Sequence, residues 1–281
     1  MSLANYEREL SFVLFEMLET ESLVGRERYA EHDRGTFEQA IATAHQIADD
    51  HFAPHNQDAD HQEPSFDGST VTVMPEVKEA IEHFAAAGFM AATHDYASGG
   101  MQLPHCIAQA CMAQFYAANI STAAYPLLTI AASNLLCAHG NEEQIAQYLP
   151  AMLSGEALGT MCLSEPQAGS ALAEIRTAAT ETQAGHYVLR GSKMWISAGD
   201  HELSDNIYHM VLARIDGAPS GVRGISLFLV PKFLVNADGS RGERNGVRLV
   251  GLNHKMGYRG TVNSVLSFGD EGECVGYLIG E

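Results

Sequence analysis

Apolar residues recur with helical spacing through the first half of the chain and with strand-like alternation through the second. Phe37, Ile41, Ala44 and Ile47/Ala48 fall on one helical face, and Thr36 is placed to cap that helix at its N-terminus. A second helix is predicted from Met74 to Gly88. Pro75 suits its first turn, Val77, Ile81, Phe84 and Ala85 face inward, and Gly88 provides the stop. Leu103 to Ala118 and Thr122 to His139 are apolar on most faces, which predicts two long helices buried among others. Gly140 closes the second, and Glu142 to Leu153 predicts one more short helix. Ahead of these, Phe12 to Leu18 is a short apolar stretch followed by a polar break at Arg26–Gly35. His51 to Thr70 is rich in Asp, His, Asn and Pro without periodicity, which predicts a long acidic loop.

The pattern changes near Gly155. From there β-branched and aromatic residues alternate and are punctuated by Gly and Asn. His186–Gly191, Met194–Ser197, Ile207–Ile215, Gly224–Val230, Arg248–Leu252 and Asn263–Phe268 all read as strands. Leu234 to Asn245 reads as a polar hairpin or insertion. A run of helices followed by a run of strands predicts an α+β arrangement in separate domains.

Composition narrows the function classes. The 281 residues are enough for two domains of the usual ~100–200 residues. A net charge of -19 with 16 scattered basic residues disfavours nucleic acid as the main partner. No apolar run approaches the ~18 residues needed to span a bilayer. Glu7, Arg8 and Glu9 interrupt the N-terminus, which does not read as a signal peptide. The five cysteines show no metal spacing, and their odd number predicts reduced thiols in a cytoplasmic protein. Cys106 and Cys111 read as helix core. His51, His55 and His61, with Asp58 and Asp60, leave a metal site open, but the irregular ligand spacing favours a solvated loop.

Two segments carry the candidate chemistry. The first is Met161-Cys-Leu-Ser-Glu-Pro-Gln-Ala-Gly-Ser170 and the second is Lys193-Met-Trp-Ile-Ser197. Each sets small hydroxyl residues beside backbone that Gly, Pro or a strand holds rigid. Together they suit one wall of a site for a large, flat, hydrogen-bonding cofactor. A flavin needs donors where electron density builds on reduction, shielding from water, and a phosphate anchor. Ser164 and Ser197 supply hydroxyl donors, Trp195 supplies cover, and Gly169-Ser170 permits close approach. Alone, a Ser-Glu-Pro turn or a Trp in a strand is more often structural. The combination and its order carry the reading.

The run Leu163-Ser-Glu-Pro-Gln-Ala-Gly-Ser-Ala171, with Ile175-Arg-Thr-Ala-Ala and Gly191-Ser-Lys-Met-Trp-Ile-Ser197, resembles the acyl-CoA dehydrogenase family over roughly Thr36 to Glu281. Asn206–Arg214 following His201, Gly224–Lys232 and His254–Gly257 resemble its larger bacterial branch, which includes methylthiopropanoyl-CoA dehydrogenase. The resemblance implies an N-terminal extension over 1–35, an all-α helical domain over 36–155 and a β-barrel middle domain over 156–281. It further implies FAD, an acyl-CoA substrate, an electron-transfer flavoprotein as electron acceptor, and a homo-oligomer. Ser164 and Ser197 would hydrogen-bond the flavin ring, and Trp195 would pack on it. Met161 and Leu163 would line its face, and Ser170 would lie near the phosphates or the CoA arm. Arg259 would approach the substrate. The family's Asp after Gly-Ser is Ala171 here, which removes one local turn hydrogen bond.

In the family a further helical domain supplies the catalytic carboxylate, so no residue of this sequence is expected to be the base. Glu165 matches a motif position and is not that base. The same reasoning leads to the expectation that these 281 residues alone bind FAD weakly or not at all. Two alternatives stand beside this reading: a non-catalytic assembly or regulatory form of the fold, and the DNA-associated relative of the family, which the acidic balance disfavours.

Overall fold

The computed structural model describes residues 3–280. Six α-helices lie in the first half: α1 Leu3–Ser11, α2 Arg34–Ile47, α3 Asn56–His61, α4 Pro75–Ala86, α5 His105–His139 and α6 Glu142–Ser154. Twelve strands follow or interleave. They are β1 Ser65–Phe66, β2 Val71–Thr72, β3 Ala157–Cys162, β4 Ala178–Glu181, β5 Tyr187–Ser197 and β6 Asn206–Ile215, then β7 Ser226–Pro231, β8 Phe233–Val235, β9 Arg241–Arg244, β10 Val247–Leu252, β11 Asn263–Phe268 and β12 Val275–Ile279. The α+β architecture expected from the sequence is therefore present, with helices first and a barrel second. Among the described residues no helical bundle follows the barrel.

The helical half is organised around an aromatic centre. Phe52, Phe84, Phe89 and Phe115 pack with ring centroids 4.7–6.4 Å apart, inside a cluster that also buries Phe37, Ile81 and Ile107. Such pairs contribute about 0.5–1.5 kcal/mol each beyond the area they bury. The start of α2 differs from expectation. Asp33, not Thr36, is the N-cap, and its carboxylate accepts from the Thr36 amide at 2.7 Å. Thr36 is the third helical residue and completes a reciprocal capping box. Helix α4 ends as read, with Gly88 at φ +82 in the left-handed region that glycine enters without penalty.

The two long apolar helices form one element, α5, broken at Asn119, whose φ/ψ of -159/94 is extended. The Asn119 side chain resolves the break. Its amide donates to the Phe52 carbonyl at 3.2 Å, and its Oδ1 accepts from the Thr122 amide at 3.1 Å, so it caps the second half. By length and composition α5 is long and apolar enough to cross a membrane, contrary to the expectation that no apolar run approaches that length. Of its most apolar window, 56% is buried inside the protein. Its buried Thr129 and Ser133 bond within the fold, so α5 is the core helix here.

The predicted loop from His51 to Thr70 is largely helical. A π-turn over Ala48–Phe52, a 3-10 turn over Ala53–His55 and α3 carry the chain to His61. Its polar composition concealed a buried face of Phe52, His55 and Ala59.

The barrel closes through five strands. β5 pairs β12, β12 pairs β7, β7 pairs β6, β6 pairs β4 and β4 pairs β5. Two long strands extend beyond the ring. The second half of β5 continues to β11 and β10, and β6 runs parallel to β3. The segments read as His186–Gly191 and Met194–Ser197 are one strand, β5. The 234–245 stretch is a hairpin, β8 with β9. β3, β4 and β12 were not read from the sequence. Strand β3 docks directly on α5: the Gly159 amide donates to Thr129 Oγ1 at 3.0 Å, and a Cβ at Gly159 would lie 2.7 Å from that of Ala132. A third apolar cluster fills this seam, with Leu136, Tyr148 and Met152 facing Tyr208, Met210 and Leu229.

Candidate functional site

The two motif segments meet around one buried ion pair. Beyond β3, Glu165 and Ala168 exchange backbone hydrogen bonds of 2.8 and 3.0 Å, making a tight turn about Pro166-Gln167. The Glu165 carboxylate points inward. It accepts from Thr177 Oγ1 (2.6 Å), the Thr177 amide (2.9 Å), the Arg176 amide (2.7 Å), Gln167 Nε2 (2.7 Å) and Lys193 Nζ (2.9 Å). Lys193 is fully buried and also donates to the Leu163 carbonyl at 3.0 Å. The Met194 amide donates to the Ser164 carbonyl at 3.0 Å. Lys193 thus ties the end of β3 to β5.

Burial alone would raise the Glu165 carboxyl. The donors from Thr177, the Arg176 amide and Lys193 outweigh burial and hold it at about 2. A carboxylate held that low, with its oxygens already occupied, is a poor proton acceptor at neutral pH. Glu165 is a positioning residue.

Immediately after Lys193, β5 carries a bulge. Opposite the single residue Val265 of β11 it places both Met194 and Trp195, and the register shifts there. The extra residue reverses the inward phase: Leu189 and Lys193 point in before it, Ile196 and Ala198 after it. Trp195 sits at φ +66, an uncommon conformation for a bulky residue, and its side chain is 55% exposed. An exposed indole on a strained backbone is not the core residue that a lone strand Trp usually is.

The remaining candidates divide into two groups. Ser164 and Ser197 are half-buried, flank this bulge, and their hydroxyls have no hydrogen-bond partner among the described residues. Met161 is half-buried on β3 opposite Met210, and Leu163 is half-buried with its carbonyl held by Lys193. Gly169 and Ser170 lie exposed on the following loop, and a Cβ at Gly169 would meet nothing within 4 Å. The chain itself makes no steric demand for glycine there, so the space is open to a group from outside. Arg259 stands apart, with its guanidinium paired to Glu63, which also takes His254 at 2.9 Å.

Several residues that set this geometry were not singled out from the sequence. Arg214 holds the loop after Ser170 by donating to the carbonyls of Ala173 (2.6 Å), Ile175 (3.0 Å) and Gly221 (2.8 Å). Tyr125 of α5, fully buried, accepts from the Val262 amide at 3.0 Å, while the Val262 carbonyl accepts from Ala198 at 2.9 Å. That relay fixes the end of β5, and with it Ser197, to the helical half. Two buried histidines lie deeper: His209, bonded to Thr160 Oγ1 at 2.8 Å, and His201, edge-on to Tyr125. Burial pushes both down to about 3, so both are neutral. A lysine at an inward strand position, beside a conspicuous Trp, was the one signal available for Lys193. A cavity of about 720 Å³ lined by Phe66, Asp200, Arg244 and Glu273 includes none of the motif residues.

Residues 36–156 match the acyl-CoA dehydrogenase N-terminal domain, and residues 160–270 match the acyl-CoA dehydrogenase middle domain. The chain belongs to the acyl-CoA dehydrogenase family. Over 274 residues it is 33% identical to the 3-methylmercaptopropionyl-CoA dehydrogenase of Ruegeria pomeroyi, covering 98% of this chain and 46% of that protein. It is also 33% identical over 282 residues to a butyryl-CoA dehydrogenase of Syntrophomonas wolfei, again covering 98% of this chain and 46% of the relative. The chain spans about half the length of the curated relatives it matches. The fold is that of an acyl-CoA dehydrogenase from Bacillus anthracis complexed with FAD, with a TM-score of 0.70 and 23% identity over 89% of this chain and 38% of that one. Within the acyl-CoA dehydrogenase fold, the Ser164 and Trp195 segments therefore lie in the middle domain.

Proposed function

We propose that this chain forms the flavin-facing half of an FAD-dependent acyl-CoA dehydrogenase, a protein that desaturates an acyl-CoA thioester between its α and β carbons. The observation that carries the reading is the outward display of Trp195 beside the half-buried Ser164 and Ser197, whose hydroxyls meet no partner among the described residues. A planar ring laid on this wall fits what the residues offer. Ser164 and Ser197 donate to its polar edge, the Trp195 indole excludes water from one side, and the backbone of Met161 and Leu163 lines the face. The open side of Gly169 and the Ser170 hydroxyl suit the phosphates or the CoA arm, whereas Arg259, paired to Glu63 away from this wall, has no part in it.

A flavin held by these residues would supply the acceptor for the hydride leaving the β-carbon. The chain's residues supply fixed donors where negative charge develops, which stabilises it more than reorienting water does. The α-proton goes to a carboxylate, and Glu165 is excluded from that role by its saturated, low-lying carboxyl group. We assign the base to a segment outside these residues. The reading takes an electron-transfer flavoprotein as the electron acceptor and the working protein as a cytoplasmic homo-oligomer. The domain limits 36–155 and 156–281 belong to the same reading, and the family matches at 36–156 and 160–270 support it.

The test is anaerobic addition of acyl-CoA thioesters of graded length to the intact protein. The flavin absorbance is expected to bleach with at least one of them. Ser164→Ala and Ser197→Ala are expected to slow that bleaching. A flavoprotein that no thioester in a broad panel bleaches would sink the dehydrogenase reading.

A further inference from the structure

The sequence offered His51, His55 and His61 as a loose histidine group, and the fold scatters it. His55 turns into the core and bonds Thr122 Oγ1 at 2.7 Å. His51 turns the other way, toward α4. The π-turn over Ala48–Phe52 sets it there, and π-turns inside helical segments often mark functional positions. On α4, Glu79 and His83 stand one turn apart on the same face. The imidazoles of His51 and His83 stack with centroids 3.6 Å apart and an interplanar angle of 17°. Glu79 Oε1 lies 3.7 Å from His51 Nδ1 and 4.0 Å from His83 Nε2. One donor atom from each of the three residues falls within a sphere where all separations are under 4.8 Å.

We propose that His51, Glu79 and His83 form a binding site for a divalent transition cation of the zinc class. Two imidazoles and one carboxylate are the donor set that such ions take, with water completing the shell. Bonds of roughly 2.0–2.2 Å require donor atoms a little closer together than they stand. Side-chain rotation supplies that movement, because Glu79 is 64% and His83 47% exposed. The His83 ring turns out of its stack with His51 to do so, on backbones held from behind. Phe52, next to His51, packs on Phe84, next to His83, within the aromatic core. The site is therefore a pair of mobile ligands and one firmer one on a rigid frame. Its occupation would staple the π-turn to α4. The cation is attracted to a chain whose formal charge is -19. The site lies in the helical half, on elements apart from the motif segments of β3 and β5.

Calorimetric titration of the intact, metal-stripped protein with zinc chloride tests this. One Zn²⁺ per chain is expected. His51→Ala and His83→Ala should each weaken its binding by at least about tenfold. The Zn²⁺-dependent rise in melting temperature should disappear with them. Circular dichroism of the two variants should match that of the parent, since neither side chain belongs to the core. Cu²⁺ used as a spectroscopic probe should show nitrogen hyperfine coupling that His83→Ala reduces. Absence of saturable Zn²⁺ binding would overturn the proposal. So would binding that both substitutions leave intact, because the ion would then sit elsewhere.

Discussion

The two halves of this molecule are held by different physics. The helical half is built on apolar contact, with four phenylalanines at its centre and a few buried polar pairs such as His55–Thr122 and His94–Ser133. The barrel half has an apolar core too, but its irregular segments are pinned by buried polar groups. Lys193 holds Glu165, and Lys232 holds Asp200 at 2.7 Å. Asn245 donates to the carbonyls of Pro231 and Val275. Apolar packing tolerates small shifts, whereas a hydrogen-bonded charge in low dielectric fixes direction as well as distance. The difference follows the chemistry: the wall that presents Ser164, Trp195 and Ser197 is the part anchored by charge.

The contrast can be broken from either side. The largest effect is expected from Phe115→Ala, which should cost about 3–5 kcal/mol in urea unfolding. A loss below about 1 kcal/mol would mean that the aromatic cluster is not the centre of the helical half. Lys193→Met should cost about as much, because it strands a buried carboxylate. Here the double variant Lys193→Met/Glu165→Leu should recover the part of the loss that comes from the unpaired charge, but not the part from the Arg176 and Thr177 donors left without an acceptor, and that partial rescue has no counterpart at Phe115. If the double variant is as unstable as the single, the pair matters for net stability and not only for geometry.

Acid should separate the halves next. His201 and His209 have folded values near 3 against an ordinary 6.5, so the unfolded chain binds more protons between those limits. Their contribution is complete above about pH 6.5 and is lost as pH falls toward 3. Glu165 adds to the loss as pH falls from about 4.5 to about 2, because the folded state holds its carboxyl low. Amide exchange followed by mass spectrometry should therefore show the barrel opening more steeply with acid than the helices. Equal slopes in the two halves would remove the distinction. The smallest effect is expected at the edge of the helical half, where Asp33→Ala should cost about 1 kcal/mol. A thermal melt showing no change would mean that Thr36 caps α2 without it.

What could be read from the chain differs between the halves for the same reason. Periodicity located α4, α6 and both halves of α5, and the gap between Ala118 and Thr122 is where Asn119 breaks the helix. It failed at His51–His61 because the polar residues there outnumber the three that are buried. It failed at β3 because a strand covered on both faces has no alternation to detect. It split β5 because a bulge reverses the phase midway. The motif segments were visible as short runs, and the structure brings them together. The contacts that join them were not visible: Glu165 and Lys193 are 28 positions apart, and the inward strand position of Lys193 does not say which residue it meets.

The strand β12 has a kinetic consequence. It is the last described strand, yet it fills the gap between β5 and β7. Until Tyr277 and Leu278 have been synthesised and have left the ribosome, both neighbours present open edges, and the ring cannot shut. Contacts this distant in sequence form slowly, and open edges invite pairing with other chains. The helical half, whose contacts are more local, is complete by then and offers α5 as a template on which β3 can dock. Barrel closure is thus the late, vulnerable step of biosynthesis. A chain terminated before Val275 would be prone to aggregate rather than to fold into a smaller barrel.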